Sequence, residues 1–180
     1  DGFKLTGMLV LYNNMLQSLF DSQIKTISAV FLIIFIMFLF VFRSFSLSVL
    51  AIVPNILPSL FVLGLMGHFN IPLDLMTITI SAIAIGIGVD NAIHYIHRFK
   101  DEFSKDSDYL KTMYRAHQSI GLAMFYTSIT VTLGFLILVL SNFIPSIYFG
   151  LFTAIAMLSA VLANLTLLPK LILIFKPRIK

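Results

Sequence analysis

Five long apolar runs separated by short polar links set the pattern of the chain: Ile24 to Phe42, Phe45 to Gly67, Leu75 to Ile96, Ser119 to Leu140 and Ile147 to Leu168. Each is close to the roughly 20 residues an α-helix needs to cross about 30 Å of hydrocarbon. The pattern therefore predicts an all-α membrane fold of five transmembrane helices. Ahead of the first run, Phe3 to Tyr12 alternates weakly beside Gly7 and reads as the last strand of an α/β domain outside the membrane. Asn13-Asn14 then opens a short amphipathic helix, Met15 to Gln23, with Leu16, Leu19 and Phe20 on one side. Residues 1–23 are expected to be the tail of that domain with a lead-in helix, and residues 24–180 the five-helix domain. The start Asp1-Gly2-Phe3-Lys4 has neither an initiator Met nor a basic leader, so the chain is expected to be part of a longer protein.

The links are Arg43-Ser44, His68 to Asp74, His97 to Gln118 and Ser141 to Ser146, and they carry nearly all the charge. In the third, Arg98 to Phe103 continues the preceding helix and Asp106-Ser107-Asp108 is a helix-start signal. Leu110, Met113, Tyr114 and His117 then recur at helical spacing, predicting an amphipathic helix within about 98–118 that lies on the membrane surface with Lys111 and Arg115 toward anionic lipid. Arg43, the cluster Arg98, Lys100, Lys105, Lys111 and Arg115, and the tail Lys170, Lys176, Arg178 and Lys180 all fall on one side, with only Lys4 and Lys25 opposite. Basic residues collect on the cytoplasmic side. The expected topology has a cytoplasmic C-terminus and places residues 1–23 outside.

Composition agrees with a membrane protein: 59% hydrophobic and 11% charged residues, against about 25% charged in a globular domain, with a mean hydropathy of +1.00. The net charge of +4 sits at helix ends rather than in a basic and aromatic stripe, which favours lipid headgroups and argues against nucleic acid. The absence of cysteine removes disulfides, thiol chemistry and Cys-based metal sites. No phosphate-cradling loop with its Lys-Ser/Thr is present. No metal or organic cofactor is expected.

The chemistry centres on Gly86-Ile87-Gly88-Val89-Asp90-Asn91-Ala92-Ile93-His94, which sets an acid deep in an apolar run. A charge at the bilayer centre costs about 2.5–3.5 kcal/mol on insertion scales, so such residues mark functional sites by default. Thr79, Ile83, Gly86, Asp90, His94 and His97 share one helical stripe. Glycine lets a neighbouring helix approach and shield Asp90, which can then take up and release protons, with His94 one turn on to pass them. A structural alternative has Asp90 held by a hydroxyl or by His94. Counting inward at about 1.5 Å per residue puts Asp90 roughly 10–12 Å deep, Asn55 roughly 15 Å and Thr127 roughly 13 Å. On the fourth run Ala123, Thr127, Thr130 and Gly134 form a small, hydroxyl-bearing face expected to lie against the Asp90 helix, although such hydroxyls often bond their own backbone. Pro54 and Pro58 interrupt the second helix beside Asn55, as a static kink or a gating hinge. Asn164 and Lys170 are expected at the interface.

The residues Phe42-Arg43-Ser44, Val53-Pro54-Asn55-Ile56-Leu57-Pro58, Gly64 and Gly67, the Gly86 to His94 core, Arg98-Phe99-Lys100-Asp101-Glu102, Gly121 with Thr127, Gly134-Phe135, Ser141-Asn142-Phe143, Phe149-Gly150 and Leu168-Pro169 run in one collinear order. In that order the chain resembles the MMPL-type exporters of hydrophobic molecules in the resistance-nodulation-division (RND) superfamily, and the five-helix sterol-sensing arrangement. The resemblance implies the last five helices of one half of a twelve-helix transporter, the C-terminal half being favoured, in the bacterial inner membrane. It implies proton-driven export with Asp90 as relay carboxylate, protons as the coupling ion, and no enzyme activity. Implied partners are the bilayer, the remaining half, a lipidic or hydrophobic substrate and a possible second copy. Many such exporters place Tyr or Asp after the relay acid where this chain has Asn91; His94 matches the prokaryotic branch. Rival readings are a protein-export subunit of the SecD/SecF kind and a non-transporting sterol- or lipid-sensing module. An intramembrane aspartyl protease is rejected because no other apolar run holds a second aspartate.

Overall fold

The computed structural model describes residues 8–71 and 75–177. Among them are seven α-helices and no strand: α1 (Met8–Phe42), α2 (Phe45–His68), α3 (Leu75–Asp106), α4 (Tyr109–Ala116), α5 (Leu122–Leu136), α6 (Ile144–Leu162) and α7 (Leu168–Phe175). A π-turn, His117–Gly121, joins α4 to α5, and a second, Ala163–Leu167, joins α6 to α7. The result is five segments long and apolar enough to cross a membrane: Ile24–Phe42, Phe45–His68, Thr79–Asp106, Tyr109–Leu140 and Ile144–Phe175. Four of them contain the corresponding apolar run of the sequence, and the third covers its run from Thr79 onward.

Residues 1–33 and 34–180 form two compact units. In the first, Met8–Tyr12 belongs to α1 and not to a strand, and the helix passes through Asn13-Asn14 without a new start. Met8 to Leu11 is a continuous apolar stretch with no polar residue to alternate with, so the period-2 signal of a strand is missing where the helix begins. The remainder of the expected strand, residues 3–7, lies outside the described residues.

In the second unit α2, α3 and α6 pack against one another, and α5 packs on α6. Ala51, Ala84, Ala92, Ala156 and Ala160 are buried at these contacts, where small side chains let helix backbones approach. At Gly150 the close neighbour is another helix's backbone. A β-carbon there would sit 2.6 Å from the Phe135 carbonyl and 2.8 Å from Leu138 Cβ. The outer surface shows Leu57, Phe61, Leu133, Ile137 and Leu162, as a lipid-facing surface requires.

The third link folds as a hairpin. α3 runs on to Asp106, Ser107 adopts a left-handed φ of 55°, and Asp108 caps α4 by accepting from the amides of Leu110 (3.0 Å) and Lys111 (3.2 Å). The helix-start signal is thus obeyed, but α4 is not a separate surface helix, because it continues through the π-turn into α5. Nor does Arg115 face lipid. Its guanidinium closes the hairpin, pairing with Glu102 at 2.8 Å and with both oxygens of Asp106 at 2.9 Å. Arg98 (2.9 Å) and Lys105 (2.8 Å) complete the enclosure of Glu102, which is 2% exposed.

Candidate functional site

α3 has two unlike faces. Ile80, Ala84, Gly88, Ala92, Tyr95 and Phe99 are buried against the bundle, whereas Gly86, Asp90, His94, His97 and Asp101 are exposed along the other side. Asp90 Oδ1 lies 3.4 Å from His94 Nε2, with the side chains 68% and 58% exposed. One turn on, His97 and Asp101 repeat the pair at 3.6 Å. The i,i+4 spacing makes both contacts possible on a single helix. An aspartate and an imidazole so placed can exchange a proton, and no cluster of three or more metal-ligating side chains occurs among the described residues.

The expected companions of Asp90 are distributed otherwise. Asn91, one residue and about 100° further round the helix, is 5% exposed on the buried side, its Nδ2 without a hydrogen-bond partner. Thr127 and Thr130 are exposed on α5 and bond their own backbone: Thr127 donates to the Ala123 and Met124 carbonyls (3.0 Å each), Thr130 to that of Tyr126 (2.9 Å). They form no layer with Asp90, because α6 occupies the position beside α3 that the sequence assigned to the fourth span. Gly86 and Gly134 are likewise not close-packing positions here; a β-carbon at either would meet no atom within 4 Å.

The close-packing glycine of α3 is Gly88, where the Asn55 amide oxygen fills the space of a β-carbon. Asn55 is 1% exposed and donates to the Ala51 carbonyl at 2.7 Å. Across from it Asn164, fully buried in the second π-turn, donates to the carbonyls of Ala160 (3.0 Å) and Gly88 (3.2 Å) and approaches Asn55 Oδ1 at 3.5 Å. Asn164 is therefore an interior link between α2, α3 and the α6–α7 rod, not an interfacial residue. An apolar neighbourhood on both sides of an Asn is the available signal, since a buried amide must find carbonyls to bond. Pro54 and Pro58 are both buried inside an unbroken α2 beside this node.

A second polar link lies nearer the hairpin. Tyr95, fully buried, has its hydroxyl 3.0 Å from His117 Nδ1, which is also 3.2 Å from the Met113 carbonyl; His117 Nε2 is 2.8 Å from the Leu165 carbonyl.

Apolar helices long enough to cross a membrane, packed around a buried amide node and carrying an acid and an imidazole on an open helix face, define a polytopic α-helical membrane protein. The chain belongs to the MMPL family, whose sequence pattern matches residues 3–178. It is 32% identical over 154 residues to a membrane protein of Methanocaldococcus jannaschii, covering 86% of this chain and 40% of that protein. It is similar to the hopanoid transporter HpnN of Burkholderia multivorans, at 25% identity over 97% of this chain and 20% of the relative. It is also similar to the apo-petrobactin exporter of Bacillus anthracis, at 24% identity over 96% of this chain and 24% of the relative. The chain thus spans well under half the length of each of these relatives.

Proposed function

We propose that this chain is the five-helix core of one half of an RND-type exporter of lipidic or hydrophobic molecules, driven by proton influx, in which Asp90 is the carboxylate that takes up and releases the coupling proton. The observation that carries the reading is the Asp90–His94 pair on the open face of α3. The faces of that helix bearing Ile80, Ala84, Ala92 and Tyr95 are committed to packing on α2 and α6, while this one leaves an acid and an imidazole exposed. A lipid-exposed ionised acid is costly, so the face calls for a protein partner or a water path. The remainder of a longer polypeptide, as in the relatives, supplies that partner.

Neutral and ionised Asp90 would favour different contacts across that face. A proton entering through the membrane potential supplies about 2.3 kcal/mol per 100 mV, enough over a cycle to bias helix packing. In this reading the protein sits in the cytoplasmic membrane, and the basic residues of the α3–α4 hairpin and of the C-terminal end support a cytoplasmic side for those segments by the positive-inside rule. The hopanoid and apo-petrobactin relatives support export of a small molecule over export of a polypeptide.

The test is Asp90→Asn in the full-length protein, reconstituted in proteoliposomes with an imposed pH gradient. Gradient-dependent movement of a lipophilic probe falls to the empty-vesicle level while insertion and melting behaviour stay unchanged. Gradient-driven transport by the Asn variant at the wild-type rate would overturn the reading.

A further inference from the structure

The basic residues at the hairpin end of the bundle divide into two groups. Those of the hairpin itself are neutralised within it. Glu102 takes Arg98 (2.9 Å), Lys105 (2.8 Å) and Arg115 (2.8 Å), Asp106 takes Arg115 (2.9 Å), and Asp108 takes Lys111 (3.7 Å). Asp101, the other acid of this end, lies 3.6 Å from His97. Among the described residues no carboxylate is left within ion-pair distance of Arg43 or Lys100.

Those two cations share one corner. Lys100 of α3 sets its ammonium 3.3 Å from the carbonyl of Phe42, the last residue of α1. Arg43 follows directly, at a left-handed φ of 49° that turns the chain into α2. The carbonyl end of a helix attracts a cation but carries only a partial charge. Two positive charges are therefore held here without a full counter-charge, Arg43 exposed and Lys100 half-buried.

The surface beside this corner is apolar. Phe40, Val41 and Phe45 are 78%, 50% and 68% exposed. The ring of Phe45 meets that of Phe35 edge-on at 5.8 Å, so the apolar surface continues from α1 onto α2. Both segments are long and apolar enough to cross a membrane, and the cations stand where the two meet. Basic residues at the ends of such helices attract anionic lipid headgroups. Unpaired cations bordered by exposed aromatic and aliphatic side chains complement an anion joined to hydrocarbon chains; a free anion would leave the rings unused.

We propose that Arg43 and Lys100 form a headgroup site for an anionic phospholipid, its phosphate between the two cations and its chains along Phe40, Val41 and Phe45. The sequence pattern assigns lipid contact to Lys111 and Arg115, but both are engaged by aspartates of their own hairpin, which moves the contact to this corner. The site uses neither Asp90 nor His94 and stands without the export reading.

The experiment is native mass spectrometry of the full-length protein released from micelles, with phosphatidylglycerol and phosphatidylcholine of identical chains as probes. Arg43→Gln and Lys100→Gln are each expected to lower the retention of phosphatidylglycerol relative to phosphatidylcholine by about fivefold, the effect of one cation beside an anionic headgroup. Arg43→Lys keeps the charge and the preference. Lys111→Gln removes the same charge from the same end and leaves the preference unchanged. Inorganic phosphate displaces no more lipid than chloride at equal ionic strength. The proposal is overturned if Arg43→Gln and Lys100→Gln leave the preference intact, or if Lys111→Gln lowers it as far, which would mark diffuse attraction. It is equally overturned if Arg43→Lys behaves as Arg43→Gln, making the turn and not the charge responsible, or if phosphate outcompetes chloride, marking a site for the free anion.

Discussion

The amide oxygen of Asn55 occupies the space that a β-carbon at residue 88 would take, with Ala160 Cβ 3.9 Å from the same point. Gly88→Ala therefore drives a methyl into a buried amide that can turn aside only by giving up its hydrogen bond to the Ala51 carbonyl. Overpacking of this kind costs about 1–3 kcal/mol. A lowered melting temperature in detergent is expected for Gly88→Ala, with partial recovery on adding Asn55→Ala. Gly86→Ala, two residues away in open space, should leave melting unchanged in this chain; equal losses for both would contradict the assignment.

Asn164 carries a similar prediction with opposite chemistry. Asn164→Leu removes the donor shared by the Gly88 and Ala160 carbonyls. An unsatisfied buried partner costs about 1–3 kcal/mol. Accelerated amide exchange is expected across Ala160–Leu168, where the π-turn loses its link to α3, and unchanged exchange there would count against the link.

At Gly150 the neighbour is backbone. Gly150→Ala meets the Phe135 carbonyl, which cannot rotate away, so α5 and α6 must separate. The expected outcome is a loss of about 1–3 kcal/mol, read by denaturant or thermal unfolding, with Gly134→Ala as the neutral control.

The hairpin answers to its cap. Asp108→Ala removes the acceptor of two α4 amides, a change worth about 0.5–2 kcal/mol at helix N-termini. Hydrogen exchange should rise at Leu110 and Lys111 and not in α5. Asp108→Asn, which retains a capping oxygen, should restore most of the protection.

The helices themselves were legible because each is fixed by local chemistry. Runs of about 20 apolar residues must form helices in lipid, where no backbone group can be left unbonded. Asp106-Ser107-Asp108 announced the start of α4 through a side chain acting on amides two and three residues away. The Gly86 to His94 core placed Asp90 and His94 one turn apart, and they meet at 3.4 Å.

Neighbours were not legible. Periodicity assigns residues to faces of a helix but cannot say which other helix covers a face, and two stripes of small and polar residues, Gly86–Asp90 and Thr127–Gly134, look complementary without touching. Only the packing of α6 beside α3 decided that Asn55, Gly88 and Asn164 meet while Thr127 bonds its own helix. The same holds for the contacts of Arg115 with Glu102, 13 residues away, and of His117 with Tyr95 and Leu165, 22 and 48 residues away in the chain. Sequence alone determined what crosses the membrane and where its acid sits. Which polar groups are enclosed, and by whom, follows from three-dimensional fit between distant side chains, because a buried donor such as the Asn164 amide is satisfied only by acceptors that the folded bundle brings within reach.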